Sequence, residues 1–245
     1  EEKWTRAYSE NYSRKNFSRL DNLITTAIKE GDGEELLKVC QEHHKHSPHS
    51  IISLYIMGIL KHERKDLDDR DLNEAITLFR DNKKWAIVQF LAERILDYGE
   101  SVRALKHLAA VYQHMNMEED LWRTWERLVR VDHDNFEVAR KIAAHYEADN
   151  RELAIYYHKI ALRRILQQKS FSQLDQIWKK LVELDPDDLD FFMSIEARLK
   201  GKMNDNSIGN LFMELVPFYQ DKNVDTALQI LQLVLAYSPE NQTAR

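Results

Sequence analysis

Two short stretches of the chain, Trp125-Glu-Arg-Leu-Val129 and Trp178-Lys-Lys-Leu-Val182, carry the same pattern 53 residues apart. A third stretch, Leu231-Gln-Leu-Val-Leu235, follows after a further 53 residues with its apolar positions in the same register. Self-similarity at a fixed period is the signature of a repeat protein, in which each unit buries its apolar face against its neighbours. The spacing therefore predicts a stack of similar units.

Each 53-residue unit contains a pattern of large and small apolar residues that is typical of a tetratricopeptide helix pair. Because such a pair takes about 34 residues, roughly 19 remain, which fit one further amphipathic helix at 136–148 and at 189–199. Two-helix repeats throughout are an alternative description that predicts the same architecture. We therefore expect an all-α solenoid of stacked helical hairpins with tetratricopeptide-like repeats and a right-handed superhelix.

Composition agrees with an all-α chain, since 245 residues include only six Gly and four Pro, too few turn residues for a protein of many strands. Apolar periodicity and its breaks predict thirteen helices, at 14–29, 34–44, 50–62, 72–80, 84–98, 102–115, 118–131, 136–148, 152–167, 171–184, 189–199, 207–220 and 224–237. Pro217 predicts either a kink in the helix at 207–220 or the end of a helix at Val216.

The domain expectation is a single solenoid over 1–245, with degenerate helices at 1–100 and regular repeats at 101–245. The last predicted helix is apolar around most of its circumference, whereas a terminal capping helix has a polar outer face. The chain also begins without Met. We therefore expect a fragment of a longer protein in which a further helix follows.

Charge and cysteine content narrow the functional classes. The formal net charge of −6 provides no overall attraction to nucleic-acid phosphate or to an anionic membrane. A single cysteine, Cys40, excludes an internal disulfide and favours a reducing, cytoplasmic setting. No apolar run is long enough to span a membrane.

The residues with metal-binding potential have a simpler structural interpretation. Cys40 and His44 stand at i, i+4, but no second ligand pair with zinc spacing follows. The acidic run at Asp66, Asp68, Asp69 and Asp71 lacks the Gly and closing Glu of a calcium loop. We predict that Asp71 and the Asp residues at 132–134 and 185–188 cap helices. No metal, cofactor or small-molecule substrate is expected.

Phosphate loops, nucleophile elbows and other catalytic signatures are absent from the sequence, so we expect no enzyme. Trp125 and Trp178 occupy core positions of the repeat, whereas Trp122 lies off that stripe and is a candidate anchor for a protein partner. Lys106 lacks the Asn four positions later that a carboxylate-clamp repeat requires. The predicted partner-binding residues are Trp122, Lys106, Arg163 and Arg164, and a second basic cluster comprises Lys61, Arg64 and Lys65.

Several strings in the chain resemble the long GreA-type transcription elongation factors of spirochaetes, over the whole of residues 1–245. These strings are Glu2-Lys-Trp-Thr-Arg-Ala7, Arg94-Ile-Leu-Asp-Tyr-Gly-Glu100, Trp125-Glu-Arg-Leu-Val-Arg-Val-Asp-His-Asp134 and Asp190-Phe-Phe192. In that family a helical-repeat region precedes the Gre module, whose acidic coiled-coil tip serves transcript cleavage by RNA polymerase. No such coiled coil is seen in this sequence.

The resemblance implies an appended scaffold that contacts proteins, with RNA polymerase as a possible partner. The alternatives are a structural spacer, a dimerisation array, or an adaptor for an unrelated protein. Direct binding of nucleic acid would need basic residues clustered on one face, and we do not expect it.

Overall fold

A computed structural model describes residues 2–12, 17–63 and 70–244, and all regular secondary structure in these ranges is helical. The α-helices are α1 (Glu2–Tyr12), α2 (Phe17–Glu30), α3 (Gly33–His46), α4 (Ile51–Glu63), α5 (Arg70–Asp81), α6 (Trp85–Leu96), α7 (Val102–His114), α8 (Glu118–Val131), α9 (Phe136–Tyr146), α10 (Arg151–Gln168), α11 (Leu174–Leu184), α12 (Leu189–Leu199), α13 (Asp205–Met213), α14 (Val216–Gln220) and α15 (Val224–Tyr237). A 3₁₀ turn, Phe171–Gln173, precedes α11. The predicted all-α helical-repeat class is confirmed.

The helices form two compact units, Glu1–Val131 and Asp132–Arg245, which we call unit 1 and unit 2. Unit 1 contains α1 to α8, and unit 2 contains α9 to α15. This division falls within the predicted regular repeats and not at residue 100. A single solenoid domain over 1–245 stays a prediction.

Unit 2 shows the 53-residue register in its helix boundaries. Helices α9 and α12 begin and end exactly one repeat apart. Their N-cap residues also match, because the side chain of Asn135 accepts a hydrogen bond from the Val138 amide and that of Asp188 accepts one from the Phe191 amide. A cap side chain satisfies a backbone donor that the first helical turn leaves unpaired. Equivalent sequence therefore specifies equivalent helix starts.

Trp178 forms the centre of the packing between α11, α12 and α13. Its side chain is fully buried, with its ring 4.9 Å from Phe192 and 5.2 Å from Phe212 between centroids. The indole N–H donates to the Leu211 carbonyl over 2.7 Å. The prediction that Trp178 is a core residue is confirmed.

Unit 1 contains consecutive hairpins, since each of α3 to α7 packs against the next helix along the chain. Trp4 and Tyr8 on α1 and Leu36 on α3 are buried in its core. Helices α4 and α5 approach closely at Gly58, where a Cβ would lie 2.3 Å from Leu72 Cγ. Only glycine permits that approach without displacement of Leu72.

Two sequence expectations require correction. Helix α1 precedes the first predicted helix, which began at 14; residues 13–16 lie outside the described ranges. The helix predicted at 207–220 is two helices, because α13 ends at Met213 and α14 begins at Val216 with Pro217 in its first turn. Proline is tolerated there because its missing N–H has no intrahelical partner to lose.

Candidate functional site

The ends of several helices in unit 1 enclose a groove along one edge. Helices α1, α3, α5 and α7 end at this edge and α4 and α6 begin there. Three open cavities lie side by side, with volumes of about 360, 280 and 650 Å³. The first two share Tyr12 and the last two share Ile87. We call this continuous surface the edge groove.

The first cavity is lined by an aromatic cluster on α1 and α3. The Tyr8 and Tyr12 rings lie 5.2 and 4.8 Å from the His43 ring between centroids. Behind them the Tyr8 hydroxyl lies 2.7 Å from Ser53 Oγ, and His43 Nδ1 lies 3.0 Å from the same oxygen. Burial raises the pKa of Tyr8 to about 12. Because Ser53 is fully buried, this network orients the aromatic rings and has no nucleophile that a substrate reaches.

The second and third cavities continue the apolar lining across α4 to α7. Ile51, Phe79 and Ile87 line the second cavity. In the third, the Trp85 ring stacks on His114, with centroids 4.4 Å apart and planes 28° from parallel. A groove with flat rings and aliphatic side chains offers pockets for apolar side chains of a ligand.

Cations border this apolar surface. Lys38 lines the first cavity, and Lys83 and Lys84 line the third. All three side chains are exposed and form no ion pair with residues that the structure describes. Glu42, the carboxylate of the first cavity, is paired with Lys45. The groove is therefore basic although the chain as a whole is acidic.

The four predicted partner-binding residues do not lie in the edge groove. In unit 1, Lys106 is exposed on α7, and Trp122 on α8 is partly buried with its ring edge-on to Trp125 at 4.8 Å. In unit 2, Arg163 is exposed, with its guanidinium carbon 5.9 Å from the centre of the Phe191 ring. The role of these residues in binding stays a prediction.

Arg164 and Trp125 differ from expectation in their burial. Arg164 is only 7% exposed and donates to the Asn135 carbonyl over 2.8 Å, so it contributes no basic surface beside Arg163. Burial lowers its pKa. Trp125 was predicted to be buried. In the structure its side chain is partly buried and packs against the core of unit 1.

The residues considered for metal binding do not converge on a site. Cys40 is fully buried, and burial raises the pKa of its thiol. Within residues 2–12, 17–63 and 70–244, no three His, Cys, Asp or Glu side chains lie together as metal ligands would. Asp66, Asp68 and Asp69 lie outside the described residues, as do Arg64 and Lys65.

Asp71 does not cap a helix as predicted. It lies inside the first turn of α5, and its carboxylate accepts from Lys61 Nζ over 2.6 Å. Asp188 does cap α12, whereas Asp185 accepts a hydrogen bond from Lys159 Nζ over 2.7 Å. Among the helices in the described ranges, none combines the length and apolar character needed to cross a membrane.

Sequence reasoning missed the edge groove. Two local signals were present, namely the i, i+4 pair Tyr8 and Tyr12 and the Lys83-Lys84-Trp85 string before α6. Neither signal indicates that the two segments line one surface. That information lies in the way α1, α3, α5 and α6 bring their ends together.

These features define a helical-repeat protein with an open groove, a class whose surfaces commonly bind other proteins. No family model matches the chain. It is 37% identical over 237 residues to the "Putative GreA-associated domains protein" of Treponema pallidum, covering 96% of this chain and 36% of that protein. It is 34% identical over 246 residues to the "Transcription elongation factor GreA" of Borreliella burgdorferi, covering 100% of this chain and 27% of that protein.

The chain is therefore a homologue of part of these spirochaetal GreA-type proteins, which confirms the resemblance predicted from its sequence. It spans about a third of the length of these curated relatives. Two solved structures are also similar: the C-terminal part of a TPR repeat-containing protein from Cytophaga hutchinsonii (14% identity, TM-score 0.31, covering 94% of this chain and 98% of that one) and a MamA RS-1 double mutant (15%, 0.25, 91% and 95%). At TM-scores this low, the fold class rests on the helices and the repeat of the chain itself.

Proposed function

We propose that this chain is a non-enzymatic protein-interaction module that works beside a Gre-type transcription factor and contacts RNA polymerase or a protein bound to it. The observation that carries the proposal is the homology of the whole chain to a protein named transcription elongation factor GreA, of which it spans 27%. A module of this kind raises the effective concentration of a linked domain at its target.

The form of the molecule supports an interaction role. Unit 1 has an open groove lined by aromatic rings and lysines, and Lys106 and Arg163 are exposed on helix faces elsewhere. Aromatic and basic side chains are enriched among the residues that dominate protein interfaces. The Ser53–His43 pair, which has the atom types of a catalytic dyad, is closed to substrate by the burial of Ser53.

The test is retention of purified spirochaetal RNA polymerase on the immobilised chain at about 0.15 M ionic strength, where charges beyond about 8 Å are screened. We expect polymerase to be retained by this chain and, separately, by an isolated Gre module. Lys106→Ala and Trp122→Ala then test the predicted contact residues, with Lys202→Ala as a control at another exposed lysine.

Failure of this chain to retain polymerase, while the Gre module still does, would contradict the polymerase proposal. Sedimentation of the chain alone then distinguishes the remaining roles. A concentration-dependent dimer indicates a dimerisation array, and a monomer indicates a spacer or an adaptor for a different protein.

A further inference from the structure

The edge groove crosses several helices of unit 1. Tyr12 connects the first cavity to the second, and Ile87 connects the second to the third. The three cavities of the groove together are therefore lined by residues of α1 and of α3 to α7. A single side chain or small ion would occupy only one of its three cavities.

Its floor is apolar where a peptide side chain would insert. Tyr12 and Met115 are large apolar residues that stay exposed, at 37% and 46% of their surfaces. Phe79, Trp85 and Ile87 are partly buried between them. Such partly open aromatic and aliphatic positions bind apolar anchor residues, which supply most of the energy at peptide interfaces.

The lysines at the rim of the edge groove favour a negatively charged ligand. Lys83 and Lys84 project beside the Trp85 ring at the start of α6, where the helix dipole adds positive potential. The side chain of Lys84, the N-cap residue of α6, makes no capping hydrogen bond. Lys38 provides a cation at the other end of the groove, where Glu42 is already neutralised by Lys45. Opposite charges across an interface orient the partner and exclude like-charged competitors.

We propose that the edge groove of unit 1 binds an acidic peptide segment of a protein partner, with aromatic or aliphatic residues between its carboxylates. This inference rests on the proposed interaction function and specifies the chemistry of the partner. Nucleic acid fits the lysines but not the apolar floor of the first two cavities. A second copy of this acidic chain matches the charge less well than a short acidic segment does.

The experiment is a selection from a random dodecapeptide phage library on the purified chain, followed by binding titrations with the enriched peptides. We expect Asp or Glu together with Trp, Phe or Leu to be enriched. The double variant Lys83→Glu and Lys84→Glu is expected to bind these peptides at least about tenfold more weakly. The matched control, Lys200→Glu and Lys202→Glu in unit 2, changes the net charge equally at exposed positions and is expected to bind as the unaltered chain does.

Tyr12→Ala provides a second variant, since this exposed ring connects two cavities and its loss leaves the lysines in place. It is expected to weaken the same peptides, and circular dichroism checks that each variant is folded. Several outcomes would overturn the inference: no enriched peptide, peptides without acidic residues, or equal binding by both double variants. Self-association or binding of a labelled oligonucleotide that is lost in the Lys83/Lys84 variant would assign the groove to those ligands instead.

The two proposals fail separately. Peptides that bind in the groove without any acidic preference would overturn the charge inference and leave the interaction function intact. Failure of the chain to retain polymerase would overturn the proposal that polymerase is the partner. The proposal that the groove binds an acidic peptide would still stand.

Discussion

Unit 2 keeps the 53-residue register between α9 and α12, whereas among the first helices of unit 1 the interval from helix to helix varies. In unit 2, α9 and α12 start from caps 53 residues apart, Asn135 and Asp188, and α15 ends 53 residues after α11. In unit 1 the interval between helices varies, from 49 residues between the starts of α1 and α4 to 53 between those of α2 and α5, and the helix ends leave cavities at one edge. Equivalent sequence therefore specifies equivalent helix starts in unit 2, and the groove lies in the unit whose helix intervals vary.

Trp178 and its repeat equivalent Trp125 provide the sharpest test of this difference. Trp178→Ala removes a fully buried ring and leaves the Leu211 carbonyl without its donor, so we expect the free energy of unfolding to fall by about 4 kcal/mol. Trp125 is only partly buried, and Trp125→Ala is expected to cost about 2 kcal/mol. Urea unfolding followed by circular dichroism measures both values.

Trp178→Phe serves as an intermediate variant, because it keeps one aromatic ring while it loses the indole donor and the volume of the fused second ring. It is expected to cost about 1 to 2 kcal/mol. If both alanine variants lost the same free energy of unfolding, the two positions would be equally well packed. That result would contradict the difference in burial between Trp178 and Trp125.

Close helix approach is the next point of comparison. An alanine Cβ at Gly58 in unit 1 would lie 2.3 Å from Leu72 Cγ, whereas at Gly209 in unit 2 its nearest contact is Ser238 Oγ at 2.9 Å. We expect Gly58→Ala to destabilise the protein by about 2 kcal/mol, after the gain of up to about 1 kcal/mol in helix propensity. Gly209→Ala is expected to cost less, because a hydroxyl group is moved more easily than the branch point of a leucine.

Thermal unfolding of the two variants measures this difference. The double variant Gly58→Ala, Leu72→Ala tests the cause, since it removes the atoms that the new methyl group meets. A clash predicts strong coupling between the two substitutions, and simple additivity would contradict it.

Sequence reasoning succeeded where local signals set the structure. Helices α8, α12 and α15 were predicted with the bounds that the structure shows, because apolar periodicity and its breaks mark both ends of each helix. It did not place the break at Glu214 and Leu215 between α13 and α14, where apolar spacing continues although the helix does not. Periodicity indicates which face of a helix is buried and not where a backbone donor is missing.

The candidate site was less predictable than the fold for a related reason. The periodic pattern shows that Arg163 and Arg164 are adjacent, but not that only Arg164 turns inward to the Asn135 carbonyl. Likewise, Tyr12 and Trp85 are 73 residues apart in the chain, and only the packing of unit 1 places both along one groove. Surfaces made from several helix ends depend on tertiary contacts that one-dimensional patterns do not contain.

His107 gives unit 1 a pH-dependent contribution to stability. Burial, with the charges of Arg80 and Arg103, lowers its pKa to about 4, and its Nδ1 has no hydrogen-bond partner among the described residues. The unfolded chain takes up this proton below about pH 6.5 and the folded chain only near pH 4. Stability is therefore lost as the pH falls through this range, by about 2 to 3 kcal/mol.

The repeat supplies the control, since the position 53 residues later holds Ile160. His107→Ile is expected to remove this part of the pH dependence while it keeps an apolar side chain in the site. Urea unfolding at pH 7 and pH 4.5 makes the comparison. An unchanged pH dependence in the variant would show that other groups cause the acid sensitivity.

The matched caps of unit 2 give the smallest expected effects and the most direct test of repeat equivalence. Asn135→Ala removes the acceptor of the Val138 amide and is expected to cost about 1 kcal/mol. Asp188→Ala is expected to cost slightly more, because Asp188 also accepts from Lys159 Nζ over 2.7 Å. That ion pair lowers the pKa of Asp188, so its contribution is present near neutral pH and is lost as acid protonates the carboxylate. Asp188→Asn keeps the cap and removes only the charge, so in urea unfolding it should cost less than either alanine variant. If it costs as much as Asp188→Ala, the ion pair and not the cap sets the start of α12, and the two repeats begin their helices by different means.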